Sequence, residues 1–220
     1  MSVYAVLVAA GRGERLGEDR PKAFVRLGDL PLLAEPLRRL DESDPVDAVV
    51  VVVPPDWEEP AILLAEEIGA SKVAACVTGG DTRTASVRAG VAEVPEDAAA
   101  ILVHDAARPF LPPDLVPRLL AALAQGFDGA VPALPLSDTV KRVDAGVVVE
   151  TLRRDALVAV QTPQAFVAPV LRAALDRGEE GTDCASLVEA AGGRVTLVDG
   201  DERLLKVTTR ADLDRIASWL

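Results

Sequence analysis

Short, nearly continuous apolar runs alternate along this chain with longer stretches in which apolar residues return every three or four positions. The run at 3–9 is followed by Leu33, Leu37 and Leu40 at helical spacing within 31–40, and then by a valine run at 46–53 that stops at Pro54-Pro55. Short runs rich in β-branched residues read as strands, and the spaced stretches read as helices. The cycle continues with a helix over 57–68, a strand over 72–77, a helix over 84–94 and a strand over 99–104. A helix over 114–125 and a strand over 129–134 follow. A strand apolar on both faces, such as 46–53, belongs inside a parallel sheet covered by helices on each side. The pattern therefore predicts an α/β fold, a mostly parallel twisted sheet with right-handed crossovers.

The rhythm breaks at 137–154, where two strands, 139–143 and 147–152, flank Asp144-Ala145-Gly146, a short hairpin signal. A lone two-stranded hairpin is marginal in water. Its valines call for another surface, most economically a second copy of the chain, so a homodimer with exchanged or interlocked arms is expected. Gln161 to Phe166 returns to the sheet, helices follow over 169–177 and 183–191, the second capped by Thr182 or Asp183, and 194–198 is another strand. A short apolar stretch, 201–207, carries Lys206, and a last helix over 212–220 opens at Thr209 or Asp212.

Ligands of such sheets lie beyond the carboxyl ends of the strands. After the first strand comes Gly11-Arg12-Gly13-Glu14-Arg15-Leu16-Gly17, with Arg20 and Lys22 close behind. Glycines bring successive backbone N–H groups near a ligand, and the cations suit a polyphosphate. Leu16 stands where a dinucleotide fingerprint needs its third glycine, and no Gly-Lys-Ser/Thr closes a P-loop. The second loop, Thr78 to Ser86, puts a glycine pair before a helix start. Asp81 or Thr84 can serve as its cap, and Gly80, Asp81 and Ser86 can hydrogen-bond a base. In the third, His104-Asp105-Ala106-Ala107-Arg108-Pro109, Asp105 is the candidate ligand for Mg2+, which favours one or two carboxylates plus phosphate oxygens. Arg108 is a phosphate clamp or a surface ion pair. His104, the one histidine, reads as structural, because a phosphate nucleophile has no proton to lose.

Half of the 220 residues are apolar but only 3% are aromatic, so Val, Leu and Ala must fill the core. The net charge of −12 argues against nucleic acid and anionic membrane as partners, since both attract basic surfaces. No apolar run approaches a membrane span and no charged leader precedes one, so a cytoplasmic location is expected. Cys76 and Cys184 lack metal or disulfide spacing.

Taken together, AAGRGERLG with Lys22, TGGDTRTASV, VHDAARPF, the DTVK…TLRR arm, TPQAF, GTDCAS and LLKVTT resemble the 2-C-methyl-D-erythritol 4-phosphate cytidylyltransferases of the non-mevalonate isoprenoid route. The resemblance covers essentially the whole chain. It implies one Rossmann-like nucleotidyltransferase domain over 1–220, a dimerising arm at 137–154, CTP as co-substrate, Mg2+ as cofactor and pyrophosphate as product. It also implies that Ala9, Ala10, Gly11, Gly13 and Ala106 line the nucleotide, and that Gly80, Asp81 and Ser86 read cytosine. Arg15 and Lys22 would neutralise the triphosphate and the transition state, with Lys206 assisting at the phosphates. Asp105 would serve metal and substrate. Thr139 and Arg154 would hold the sugar phosphate of the partner subunit's site, with Arg108, Thr162 and Thr182 also on the substrate. Cys184 departs from the pattern, which more often has an acidic residue there. A cytidylyltransferase for another alcohol phosphate, such as ribitol 5-phosphate, is the nearest alternative, and a non-catalytic nucleotide sensor the alternative of a different class.

Overall fold

The structure is a computed structural model that describes residues 2–11, 13 and 19–220. In chain order the elements begin with β1 (Val3–Val8), β2 (Arg26–Leu27), β3 (Leu30–Pro31), α1 (Ala34–Asp41), β4 (Ala48–Val53), α2 (Glu58–Glu67) and β5 (Val73–Thr78). They continue with α3 (Arg83–Ala92), β6 (Ala100–Asp105), α4 (Leu115–Ala124), β7 (Gly129–Pro135), β8 (Lys141–Asp144) and β9 (Val147–Thr151). The chain closes with β10 (Val158–Val160), β11 (Gln164–Val167), α5 (Ala168–Asp176), α6 (Cys184–Ala190), β12 (Val195–Asp199) and α7 (Arg210–Ala217).

Strands β5, β4, β1 and β6 pair in parallel in that order. Next to β6, β11 runs antiparallel and pairs with β7 on its far side, while β12 joins β7 in parallel. Six strands therefore share one direction, and β10 and β11 oppose them, so the sheet is mostly parallel as its apolar pattern requires. The valine run obeys the two-residue period of a strand. Val49, Val51 and Val53 enter the layer under α1, α2 and α4, and Val50 and Val52 enter the opposite layer with α3, α5 and α6. All five are fully buried, each worth about 1.5–3 kcal/mol relative to exposure.

Helix α3 lies flush on the sheet because Gly90 lets it. A Cβ there would come within 2.5 Å of Val6 Cγ1 and 2.7 Å of Val52 Cγ2. Seated there, α3 packs on β1, β4 and β5, and its first residue, Arg83, reaches Asp105 at the end of β6. A third, smaller cluster of Val25, Leu27, Leu32, Phe110, Val207, Leu213 and Ile216 anchors α7 and the segment leading into it.

Several boundaries differ from the sequence reading. The helix expected from residue 31 starts at Ala34, because Leu30 pairs with Leu27 around a turn at Gly28, whose φ is +64°. Strand β10 was not anticipated. Within the apolar stretch 201–207, Glu202–Leu204 form a 3-10 turn. The hairpin is present with Ala145 and Gly146 at positive φ, the geometry favoured by two-residue hairpin loops, but β8 begins at Lys141, leaving Thr139 outside it. Every residue of β8 and β9 is exposed, Val147 by 65%.

Candidate active site

A cavity of about 670 Å3 opens over the carboxyl ends of β1, β4, β5 and β6. Its walls include Ala9, Ala10, Gly11 and Gly13 after β1, Pro54 and Pro55 after β4, Gly79 to Arg83 after β5, Asp105 to Ala107 after β6, and Lys22, Ser86 and Lys206. Its shape follows from small residues. Gly13 has φ +72°, and a Cβ there would press to 2.5 Å from Lys22 Cβ, so the glycine loop and the Lys22 backbone can sit together only without that carbon. Gly79 packs against Ala10, and Gly80 against Ala85, just as closely. Arg15 lies outside the described residues.

The loop after β5 is braced by its own helix. Thr82, not Asp81 or Thr84, caps α3, its hydroxyl accepting from the Ala85 N–H at 3.0 Å. The buried Ser86 hydroxyl lies 2.9 Å from the Thr82 carbonyl and 3.2 Å from the Gly80 carbonyl. Asp81 is exposed.

Asp105 closes β6 in register with Val8. Arg83 Nε and Nη2 donate to its Oδ1 over 3.1 and 2.9 Å, and Lys206 Nζ donates to Oδ2 over 2.7 Å. Burial by itself would raise the carboxyl's pKa, but the charges of Arg83 and Lys206 and their hydrogen bonds outweigh it and hold the group well below the usual carboxylate range. The three side chains together carry one net positive charge. Lys206 is delivered to this point by two buried neighbours, Leu204 and Val207, and by the Val207 N–H donating to the Ala107 carbonyl at 2.8 Å. Arg108 turns away from the cavity walls and donates through Nη1 to the Leu204 carbonyl at 2.5 Å, clamping that same segment.

Behind Asp105 runs a chain of hydrogen bonds. The Asp105 N–H donates to the Thr162 hydroxyl at 3.0 Å, that hydroxyl donates to His104 Nδ1 at 3.1 Å, and His104 Nε2–H donates to the Arg108 carbonyl at 3.0 Å. His104 is wholly buried, and burial dominates over the pull of Asp105 to lower its pKa from 6.5 to about 4. It is a neutral strut under the site. Thr162 is buried with it and braces the backbone of Asp105.

Three of the sequence candidates stand apart. Thr139 and Arg154 are exposed on and beside the arm, where Arg154 Nη1 donates to the Ser137 carbonyl, and neither lines the cavity of its own chain. Thr182 is exposed on the turn before α6. That turn is docked on α3 by the Gly181 N–H donating to the Thr84 hydroxyl at 3.2 Å, and Asp183 caps α6. One central residue escaped the sequence reading altogether. Arg83 was legible only as part of a motif, although a cation in the first turn of a helix opposes the macrodipole and so called for a nearby carboxylate.

Among the described residues no group of three or more His, Cys, Asp or Glu side chains is placed to hold a metal ion. Asp105, the carboxylate that the sequence offers to Mg2+, has Oδ1 on Arg83 and Oδ2 on Lys206, so an ion there would have to share or displace Lys206 and take its other ligands from phosphate oxygens and water.

With this geometry in hand, the relatives are informative. The profile of the family described as IspD, 2-C-methyl-D-erythritol 4-phosphate cytidylyltransferase, matches residues 3–220. The enzyme of that name from Nocardia farcinica is 49% identical over 220 residues, spanning 100% of this chain and 94% of its own. That from Rhodococcus jostii is 46% identical over 214 residues, 96% of this chain and 92% of its own. The crystal structure of the Thermus thermophilus enzyme superposes with a TM-score of 0.79 at 34% identity, covering 100% and 98% of the two chains. The 4-diphosphocytidyl-2C-methyl-D-erythritol synthase of Anaerococcus prevotii gives 0.85 at 25% identity, covering 99% and 97%. A glycine-walled cavity at the strand ends, a carboxylate held between two cations and a match that runs from the third residue to the last agree: the chain belongs to the 2-C-methyl-D-erythritol 4-phosphate cytidylyltransferase family.

Proposed function

We propose that the cavity is where CTP meets 2-C-methyl-D-erythritol 4-phosphate. The chain transfers CMP from CTP to that sugar phosphate, giving 4-diphosphocytidyl-2-C-methyl-D-erythritol and pyrophosphate. The observation that carries the site assignment is the gathering of Lys22, Arg83 and Lys206 at one cavity in a protein whose net charge is −12.

The chemistry needs little more than charge and alignment. The 4-phosphate oxygen attacks the α-phosphorus of CTP in line, a bond to that oxygen forms, and pyrophosphate leaves. Two unit charges ~4 Å apart repel by ~4 kcal/mol at an effective dielectric of ~20, and several such pairs approach together. Lys22, Lys206 and Arg15 offset that repulsion, which is why transfer proceeds by positioning and electrostatic stabilisation without a nucleophilic side chain. Ala9, Ala10, Gly11, Gly13 and Ala106 take the nucleotide, and Gly80, Asp81 and Ser86 the cytosine, the buried Ser86 acting through the loop carbonyls it holds. Asp105 is the residue that would hold Mg2+, and the ion, when bound, supplies further neutralisation of the phosphates.

The sugar phosphate is held by Thr139 and Arg154 reaching from a second copy, with Arg108, Thr162 and Thr182 supporting that end of the site. In favour of a homodimer, Val143, Val147, Val148 and Val149 of the arm are all exposed, and neither arm residue lines its own cavity. The protein acts in the cytoplasm as one domain, 1–220, with the 137–154 arm as its dimer contact; no helix among the described residues is long and apolar enough to cross a membrane. Pyrophosphate release from CTP, measured with 2-C-methyl-D-erythritol 4-phosphate and separately with ribitol 5-phosphate, tests the reading. Turnover is expected with the first, and turnover with the second alone would overturn it.

A further inference from the structure

We infer that Arg83 is a positioning residue whose task is to hold Asp105 by itself, so that Lys206 is free to leave that carboxylate for an arriving phosphate. The inference rests on the site reading above and assigns a role to a residue that it leaves without one.

The two cations on Asp105 are not equivalent. Arg83 lines the same cavity but is the less exposed of the two, its side chain 24% exposed, and it binds Oδ1 with both Nε and Nη2. Its backbone is fixed at the start of α3, behind the Thr82 cap and the flush seat at Gly90. Its third nitrogen, Nη1, meets Cys184 Sγ at 3.7 Å. That thiol is neutral, since burial pushes its pKa up to about 11 against the opposing pull of Arg83. The guanidinium thus has one anionic partner on that side, and its fork is committed to it. Lys206 approaches from the cavity, its side chain 42% exposed, and makes a single bond to Oδ2. An ammonium on a flexible stem can exchange partners, whereas a forked guanidinium pinned at two nitrogens cannot do so cheaply.

The energetics require the fixed partner. Asp105 is 10% exposed at its side chain, and a buried carboxylate stripped of its counter-ion pays a heavy desolvation penalty. If Lys206 were its sole cation, each move of the ammonium to a phosphate would leave that penalty behind, and the pair would stay locked. With Arg83 in place the carboxylate remains compensated while Lys206 moves. Substrate binding then gains a mobile positive charge at no cost of an orphaned anion.

The test reads the reactivity of the Lys206 amine directly. Wild-type protein, Arg83→Lys, Arg83→Met and the double variant Arg83→Met with Asp105→Asn are acetylated with trace acetic anhydride, with and without CTP, and Lys206 is quantified by mass spectrometry. In Arg83→Met the amine should react about tenfold more slowly than in the wild type. That factor corresponds to ~1.4 kcal/mol, near the low end for one hydrogen bond to a charged group. Arg83→Lys should restore most of the rate, and so should the double variant, which removes the lock while retaining the methionine. A merely structural role for Arg83 predicts no such rescue by the second substitution. Unchanged labelling in Arg83→Met, or a double variant as slow as the single, overturns the proposal while CTP protection of wild-type Lys206 stands. Wild-type Lys206 that CTP fails to protect removes the site reading itself, and the proposal with it.

Discussion

His104 should make this protein lose stability on mild acidification in a range where carboxylates have scarcely begun to titrate. Its pKa falls from 6.5 in the unfolded chain to about 4 in the fold, because full burial disfavours the imidazolium. The sign follows from proton counting: between these values the unfolded chain binds the proton and the fold does not, so unfolding takes up protons. The contribution is fully present above pH 6.5 and drains away as pH falls towards 4. For one group with these constants the loss is about 0.8 kcal/mol at pH 6 and about 2 kcal/mol at pH 5. The structural basis is specific, since protonating Nδ1 removes the acceptor for the Thr162 hydroxyl and disturbs the strut under Asp105. Urea unfolding at pH 8, 6 and 5 on wild type and His104→Gln checks it, because the glutamine has no proton to take up and His104 is the one histidine. The difference between the two proteins should shrink by those amounts as pH falls. Parallel stability curves from pH 8 to 5 would refute the reasoning.

Lys22→Ala should lower kcat by about 10²-fold, the usual loss for one donor to transition-state charge, as read in a pyrophosphate-release assay with saturating CTP. Arg154→Ala should raise the sugar-phosphate KM and lower turnover with CTP affinity nearly intact; weakened CTP binding alone would contradict the arm's assignment. Mixing Lys22→Ala with Arg154→Ala subunits should recover activity if arms cross between copies, and no recovery after exchange would place each arm on its own subunit. Cys184→Asp should keep stability within ~1 kcal/mol of the wild type at pH 7, because Arg83 Nη1 stands ready to pair with the new carboxylate; a loss of ~3–5 kcal/mol, the toll of an unpaired buried charge, would show that it does not.

Much of the fold could be read from apolar periodicity, because a strand such as 46–53, buried on both faces, has few other ways to place five successive valines. What could not be read were features decided by partners far away in sequence. Strand β10 carries three exposed residues and exists because β7 offers it an edge. Residues 30 and 31 were claimed by a hairpin with Arg26 and Leu27, which overrode the helical spacing of the leucines beyond. At the site, glycine loops and charged residues at strand ends were visible as motifs, and the cavity assembles them from four strands. The pairing of Arg83 with Asp105, 22 positions apart, was invisible because it depends on the crossover that carries α3 across β4 and β1 on the way from β5 to β6. The resemblance places Thr162 on the substrate, and its bond to the Asp105 N–H could not be read from the sequence because it depends on the antiparallel pairing of β11 with β6 just beyond it.

Gly90 forms no part of the cavity wall, yet it sits seven residues along α3 from Arg83, a lever of about 10 Å at the helical rise. A single methyl group at position 90 would jack the helix away from Val6 and Val52 and swing its far end, guanidinium and all, off the carboxylate. Inactive variants gathered without regard to location should therefore include a hydrogen-to-methyl change deep in the hydrophobic interior, silent in every inspection of the cavity walls.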